Sequence, residues 1–142
     1  MRFSQIAAAY ATALLMAGTA PAQSQQETPH ISLELNKLEA SGTACRLSFV
    51  MENRSSQDID AASYEIVVFG KNDVINQMSV FDFGVLPQDK TIVRQFELSN
   101  LTCEGTGKLL INGPAGCSTE FVSGHCTTPL SLQSRTSVSL IQ

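Results

Sequence analysis

From Ile31 onward the sequence alternates apolar and polar residues with a period of two, and that period admits strands with one buried face and little else. Ile31, Leu33 and Leu35 fall on one parity, with Ser32, Glu34 and Asn36 on the other. Ser41-Gly42-Thr43 is turn chemistry. Cys45, Leu47, Phe49 and Met51 then alternate with Arg46, Ser48 and Glu52. This second run closes at Asn53-Arg54-Ser55-Ser56, whose short polar side chains bond their own backbone and stabilise a turn. Ser63 to Phe69 is apolar on both parities, Ile66 and Val68 against Val67 and Phe69, as expected of a central strand.

The rest is less regular. Residues 74–86 are extended, with Met78 and Val80 on one parity and Phe81, Phe83 and Val85 on the other, a pattern that suits a bulge or a switch between sheets. After the turn Pro87-Gln88-Asp89-Lys90, the residues Ile92, Phe96 and Leu98 share a face with Arg94. Lys108 to Asn112 reads as a short strand, Gly113 to Pro129 as an irregular loop, and Val138 with Leu140 as part of a last strand. Short strands separated by turn residues predict an all-β chain: a single antiparallel Ig-like β-sandwich of about seven strands, residues 31–142, following a signal helix removed on export.

The amino terminus sets the compartment. Arg2 supplies a positive n-region, and Ile6 to Ala17 give an uncharged stretch of twelve residues. That length suits a signal-peptide h-region and falls short of the ~20 residues a membrane span needs. Ala20 and Ala22 occupy the two small-residue positions of an A-x-A cleavage site. Residues 1–22 are therefore expected to be cut after Ala22, leaving a flexible leader at 23–30 and no stable membrane anchor. A single Arg favours the general secretory route, and so a periplasmic or secreted bacterial protein. Losing Arg2 leaves eight basic against thirteen acidic residues, a net −5, with no basic cluster. Nucleic acid is not an expected partner.

Four cysteines follow the cleavage site: Cys45, Cys103, Cys117 and Cys126. An even count in an exported chain reads first as disulfides. Of three possible pairings, spacing favours Cys117 with Cys126, closing a small loop, and Cys45 with Cys103, a long-range staple. Loop entropy gives about 3 kcal/mol for the first and about 4 for the second.

Certain residues also carry a family likeness. Leu47 to Met51 run into Glu52-Asn53-Arg54-Ser55. Tyr64-Glu65-Ile66-Val67-Val68-Phe69 precedes a turn at Asn72-Asp73, and Leu86-Pro87 leads through Lys90-Thr91 to Phe96. In these features residues 47–98 resemble bacterial extracellular Ig-like modules of the FxLYD type, without the glycines usual after the acidic residue and after the proline. The stretch Ile31 to Glu39 and the four-cysteine layout resemble small exported proteins of alphaproteobacteria. Both resemblances imply the sandwich, and neither brings a catalytic residue.

Candidate chemistry is sparse. His125, beside Cys126, could join Cys103, Cys117 and Cys126 in a Cys₃His metal site, although the spacing is not that of a zinc knuckle and the compartment favours disulfides. No two cysteines are close enough for a Cys-x-x-Cys redox motif, and there is no nucleophile elbow or glycine-rich phosphate loop. His30 is expected to be solvated, as are Asp58 and Asp60 in their turn, and Asp82 to sit at an edge or bulge. Asn53-Arg54-Ser55 and Asn100-Leu101-Thr102 match the glycosylation sequon but read as turns. The chain is therefore expected to be a non-enzymatic binding or interaction module without a cofactor. Its partner, an unspecified protein or small ligand, would meet the Gly113 to Pro129 loop. The alternative is a small exported metal-binding protein or enzyme using His125 and the nearby cysteines.

Overall fold

The computed structural model describes residues 27–118 and 122–142. The expected signal peptide, its cleavage site after Ala22 and the first leader residues lie outside them. Each period-two run becomes a strand whose apolar parity faces a second sheet. The strands are β1 (His30–Ser41), β2 (Ala44–Arg54), β3 (Ile59–Gly70), β4 (Ile75–Leu86), β5 (Thr91–Leu98), β6 (Thr106–Pro114), β7 (Leu130–Ser134) and β8 (Ser139–Ile141). One sheet has the order β5-β2-β1-β7 and the other β4-β3-β6-β8, and together they form the β-sandwich.

Two details differ from the expected pattern. Among the described residues there are eight strands, because Leu130–Ser134, with only two apolar positions, is too short to show a period of its own. The sheets are also mixed rather than wholly antiparallel: β7 runs parallel to β1 and β8 parallel to β6. Both parallel pairs sit on the same side of the sandwich, built by the carboxy-terminal segment after the long loop. Arg135 fixes the β7–β8 turn there. Its backbone N–H donates to Leu35 O at 2.9 Å and its Nε to Glu34 Oε2 at 2.9 Å. The Asn36 amide and this Arg hold the Glu34 carboxyl below its ordinary range.

The core takes Ile31, Leu33 and Leu35 from β1, and Leu47, Phe49 and Met51 from β2. Tyr64, Ile66 and Val68 of the central β3 close it from the opposite sheet. Phe49 meets Phe81, Phe83 and Phe96 edge-on at 5.6–6.0 Å, and Phe81 stacks on Phe96 at 4.2 Å. These rings join the two sheets along the β4–β5 side, where aromatic pairs add to the gain from burial. Arg94 lies on that side too. Its Nε donates across the gap to Phe83 O at 3.0 Å, so the charge at an otherwise inward-facing position stays in solvent while the guanidinium bridges the sheets.

The irregularity of β4 is a bulge. Phe81 and Phe83 point inward, but Gly84 adopts φ +73° and the parity reverses. Leu86 is then buried and Val85 is 55% exposed, although Val85 shares the parity of the two Phe residues. Asp82 is at this bulge and exposed, accepting from the Gly84 N–H at 2.8 Å.

Asn53 is the penultimate residue of β2 and is fully buried. Its Nδ2 donates to Gln57 O at 2.8 Å and to Leu86 O at 2.9 Å, and its Oδ1 accepts from the backbone N–H and hydroxyl of Ser55. Its backbone bonds Lys90 and Asp89 in the β4–β5 turn. Two of the three connections that cross between sheets at this end, β2–β3 and β4–β5, thus converge on one residue. Asn53→Ala should cost about 3 kcal/mol, measured by urea unfolding, because several buried groups lose their partner at once. Asn53→Asp should restore little of that, since a carboxylate presents no donor to the two carbonyls.

Candidate functional site

The loop from Gly113 to Pro129 leaves β6 and returns to β7 at the end of the sandwich that holds Asn53. Its described parts are pinned by the backbone: Ala115 N donates to Ser63 O at 2.8 Å, and Ile31 N donates to Pro129 O at 2.9 Å. Between them, Gly124–Cys126 form a single 3₁₀ turn. Ser123 Oγ donates to Ala61 O at 2.7 Å and Thr128 Oγ1 to Gly124 O at 2.7 Å, which seats the turn against the start of β3.

The cysteines pair as spacing suggested. Cys117 and Cys126 are bridged across this loop, and Cys45 is bridged to Cys103 at the opposite end. Neither bridge leaves a free thiol. Cys103 is therefore remote from His125, and the Cys₃His set is not assembled. Cys117, His125 and Cys126 do come together, with ligand atoms within 4.8 Å of one another, but both sulfurs are committed to the bridge.

His125 is only 3% exposed. Its Nε2 lies 2.9 Å from Ala115 O and 3.8 Å from Cys117 Sγ, which makes Nε2 the protonated nitrogen. The ring stands edge-on to Tyr64 at 5.4 Å. Among the described residues, His125 Nδ1 and the Tyr64 hydroxyl are buried side-chain polar atoms without a hydrogen-bond partner. Burial pushes the Tyr64 phenol well above its ordinary range. His125 thus acts here as a buried brace between the disulfide and the core. His30 begins β1, half-exposed, with Nδ1 2.8 Å from Thr28 O.

Beside the 3₁₀ turn is a cleft of about 370 Å³, lined by Gln57, Asp58, Asp60, Ser123, Gly124 and Thr127 among others. The β2–β3 turn forms one wall and the loop the other. Asp58 Oδ1 accepts from Gln88 N at 2.8 Å, so the β4–β5 turn supports the acidic wall. Gly124 is needed for the close approach: a Cβ there would lie 3.0 Å from Gln57 Nε2 and 3.1 Å from Ile59 Cγ1. Asp58 and Asp60 are solvated, as their turn composition implied, yet they share a wall with Gln57 that the sequence did not single out. Only the density of polar and small residues in 55–60 and 122–128 hinted at it. A smaller hollow of about 240 Å³ lies at the opposite end near Cys103, lined by Ala40, Thr43, Thr102 and Glu104 among others.

No family model matches the chain. No curated relative matches it either. Among solved structures the fold is similar to that of IrmA from Escherichia coli, with a TM-score of 0.59 over 74% of this chain and 92% of that one. At 13% identity the likeness carries the fold alone.

Replacing both Cys117 and Cys126 with Ser should leave the far-UV circular dichroism spectrum of the sandwich in place while lowering stability by about 3 kcal/mol or less. A collapsed spectrum would show instead that the loop bridge is needed for the fold as a whole.

Proposed function

We propose that this is an exported, non-enzymatic binding module, an Ig-like β-sandwich of the FxLYD kind that meets its ligand at the end bearing the disulfide-braced loop. The cleft between the β2–β3 turn and residues 122–127 carries this reading. It is a polar recess on a rigid frame, walled by two turns and a cross-linked loop, where recognition surfaces of such scaffolds commonly form. The two disulfides fit a non-reducing compartment, and the amino-terminal segment fits delivery there by the general secretory route, to the periplasm or beyond. Among the described residues no helix is long and apolar enough to cross a membrane.

A photocrosslinking side chain placed at Thr127 should capture a defined partner in the native compartment. One placed at Thr43, at the opposite end, should not. The Thr127 product should fade when Asp58 and Asp60 are both replaced by Asn. Equal capture from both ends, or a product indifferent to the two carboxylates, would contradict the reading.

One observation favours a second reading, a soft-metal carrier: the convergence of Cys117, His125 and Cys126. It requires the bridge to be reduced first, because the thiolate and not the disulfide is the ligand. Copper(I) bound one to one after reduction, and lost in His125→Gln, would support it.

A further inference from the structure

A sandwich has four sheet edges, and this one treats them unequally. The edge strands β7 and β8 are short, at five and three residues. The edge strand β5 carries Arg94 and Glu97. Short length and edge charge are the usual means by which a sheet refuses another strand. The edge strand β4 has twelve residues. Its second half is guarded by Asp82 and by Arg94, which occupies the Phe83 carbonyl. Its first half, Ile75 to Phe81, carries no charge, no proline and no glycine. Ile75, Met78 and Val80 there are 52–59% exposed, and Val74 just before them 60%.

The outer face of the same sheet continues this apolar edge. Ile66, Val68, Leu109, Ile111 and Leu140 face the core, so residues on the opposite parity face outward. Met78 pairs with Val67, Val67 with Leu110, and Leu110 with Ile141. One apolar row on the outward parity therefore crosses all four strands, buried at Val67 and exposed at Met78 on the open edge.

We propose that the first half of β4 pairs with the same segment of a second copy, antiparallel about a twofold axis, joining two four-stranded sheets into one of eight. Charge selects this occupant. The chain is net negative, and this uncharged run meets its own copy without opposing like charges. A twofold axis requires a self-complementary patch, and an antiparallel strand set against its own reverse supplies one. The backbone N–H and C=O groups on the outer side of β4 gain partners, and the two apolar rows become continuous across the junction.

Sedimentation equilibrium of the exported chain should show a concentration-dependent dimer. Met78→Lys and Val80→Lys, both at exposed positions that spare the core, should each raise its dissociation constant about tenfold or more. Val93→Lys, on the neighbouring edge β5 and 57% exposed, should leave it unchanged. Amide hydrogen exchange of residues 75–81 should slow as concentration rises. A chain monomeric at its highest soluble concentration overturns the proposal, as does a dimer indifferent to both β4 substitutions. A dimer without slowed exchange in 75–81 overturns it too, because face packing would then replace strand pairing.

Discussion

The side-chain amide of Asn53 spans the interior at one end of the sandwich, donating to a carbonyl of each neighbouring segment while its oxygen takes two donors from Ser55. Burying a carboxamide is unfavourable unless every lone pair and proton is used. Here all are used, and the partners belong to the end of β4 and to the β2–β3 turn. The β4–β5 turn is tied to the same residue through its backbone. Those two turns are two of the three connections that cross between the sheets at this end, the third being the disulfide-braced β6–β7 loop. By holding the β2–β3 and β4–β5 crossings together, this node helps to set the relative placement of the sheets beside which the phenylalanines meet. It also helps to set the cleft, because Gln57 and Asp58 are set by the turn that Asn53 holds.

The two ends have different characters. The Cys45–Cys103 bridge ties the start of β2 to the loop before β6, closing a separation of 58 residues and restraining the unfolded chain strongly. The Cys117–Cys126 bridge spans nine residues and restrains mainly its own loop. Along the β4–β5 side the four phenylalanines and Arg94 link the sheets, while the first half of β4 beyond them is left open.

Much of this was legible in the sequence. Strong alternation in 31–36 and 45–52 gave β1 and β2 with their buried faces, and two-sided apolar composition gave β3 its central place. Cysteine spacing gave both bridges. The asparagine turn was legible as a turn, but its burial was not, because a residue that bonds its own backbone reads the same exposed or enclosed. Val85 was misleading: the parity rule holds only until a residue with positive φ breaks it, and Gly84 does so. Leu130–Ser134 escaped notice because a strand of five residues with two apolar positions carries little period. Arg94 had no visible partner, since a carbonyl eleven residues upstream leaves no side-chain signal. At the candidate site, His125 stood out, but its enclosure against Tyr64 and the cleft wall formed with Gln57 depend on tertiary packing.

The central role of the Asn53 node is tested most directly by native-state amide hydrogen exchange at Ser55 and Asp89. Both lie in turns, where amides ordinarily exchange by local opening. Ser55 N–H donates to the Asn53 side chain and Asp89 N–H to its backbone carbonyl. The account predicts that both exchange only with global unfolding, at the same free energy as the Ile66 and Val68 amides of the central strand. Exchange at a much lower free energy, like that of an ordinary surface turn, would contradict it.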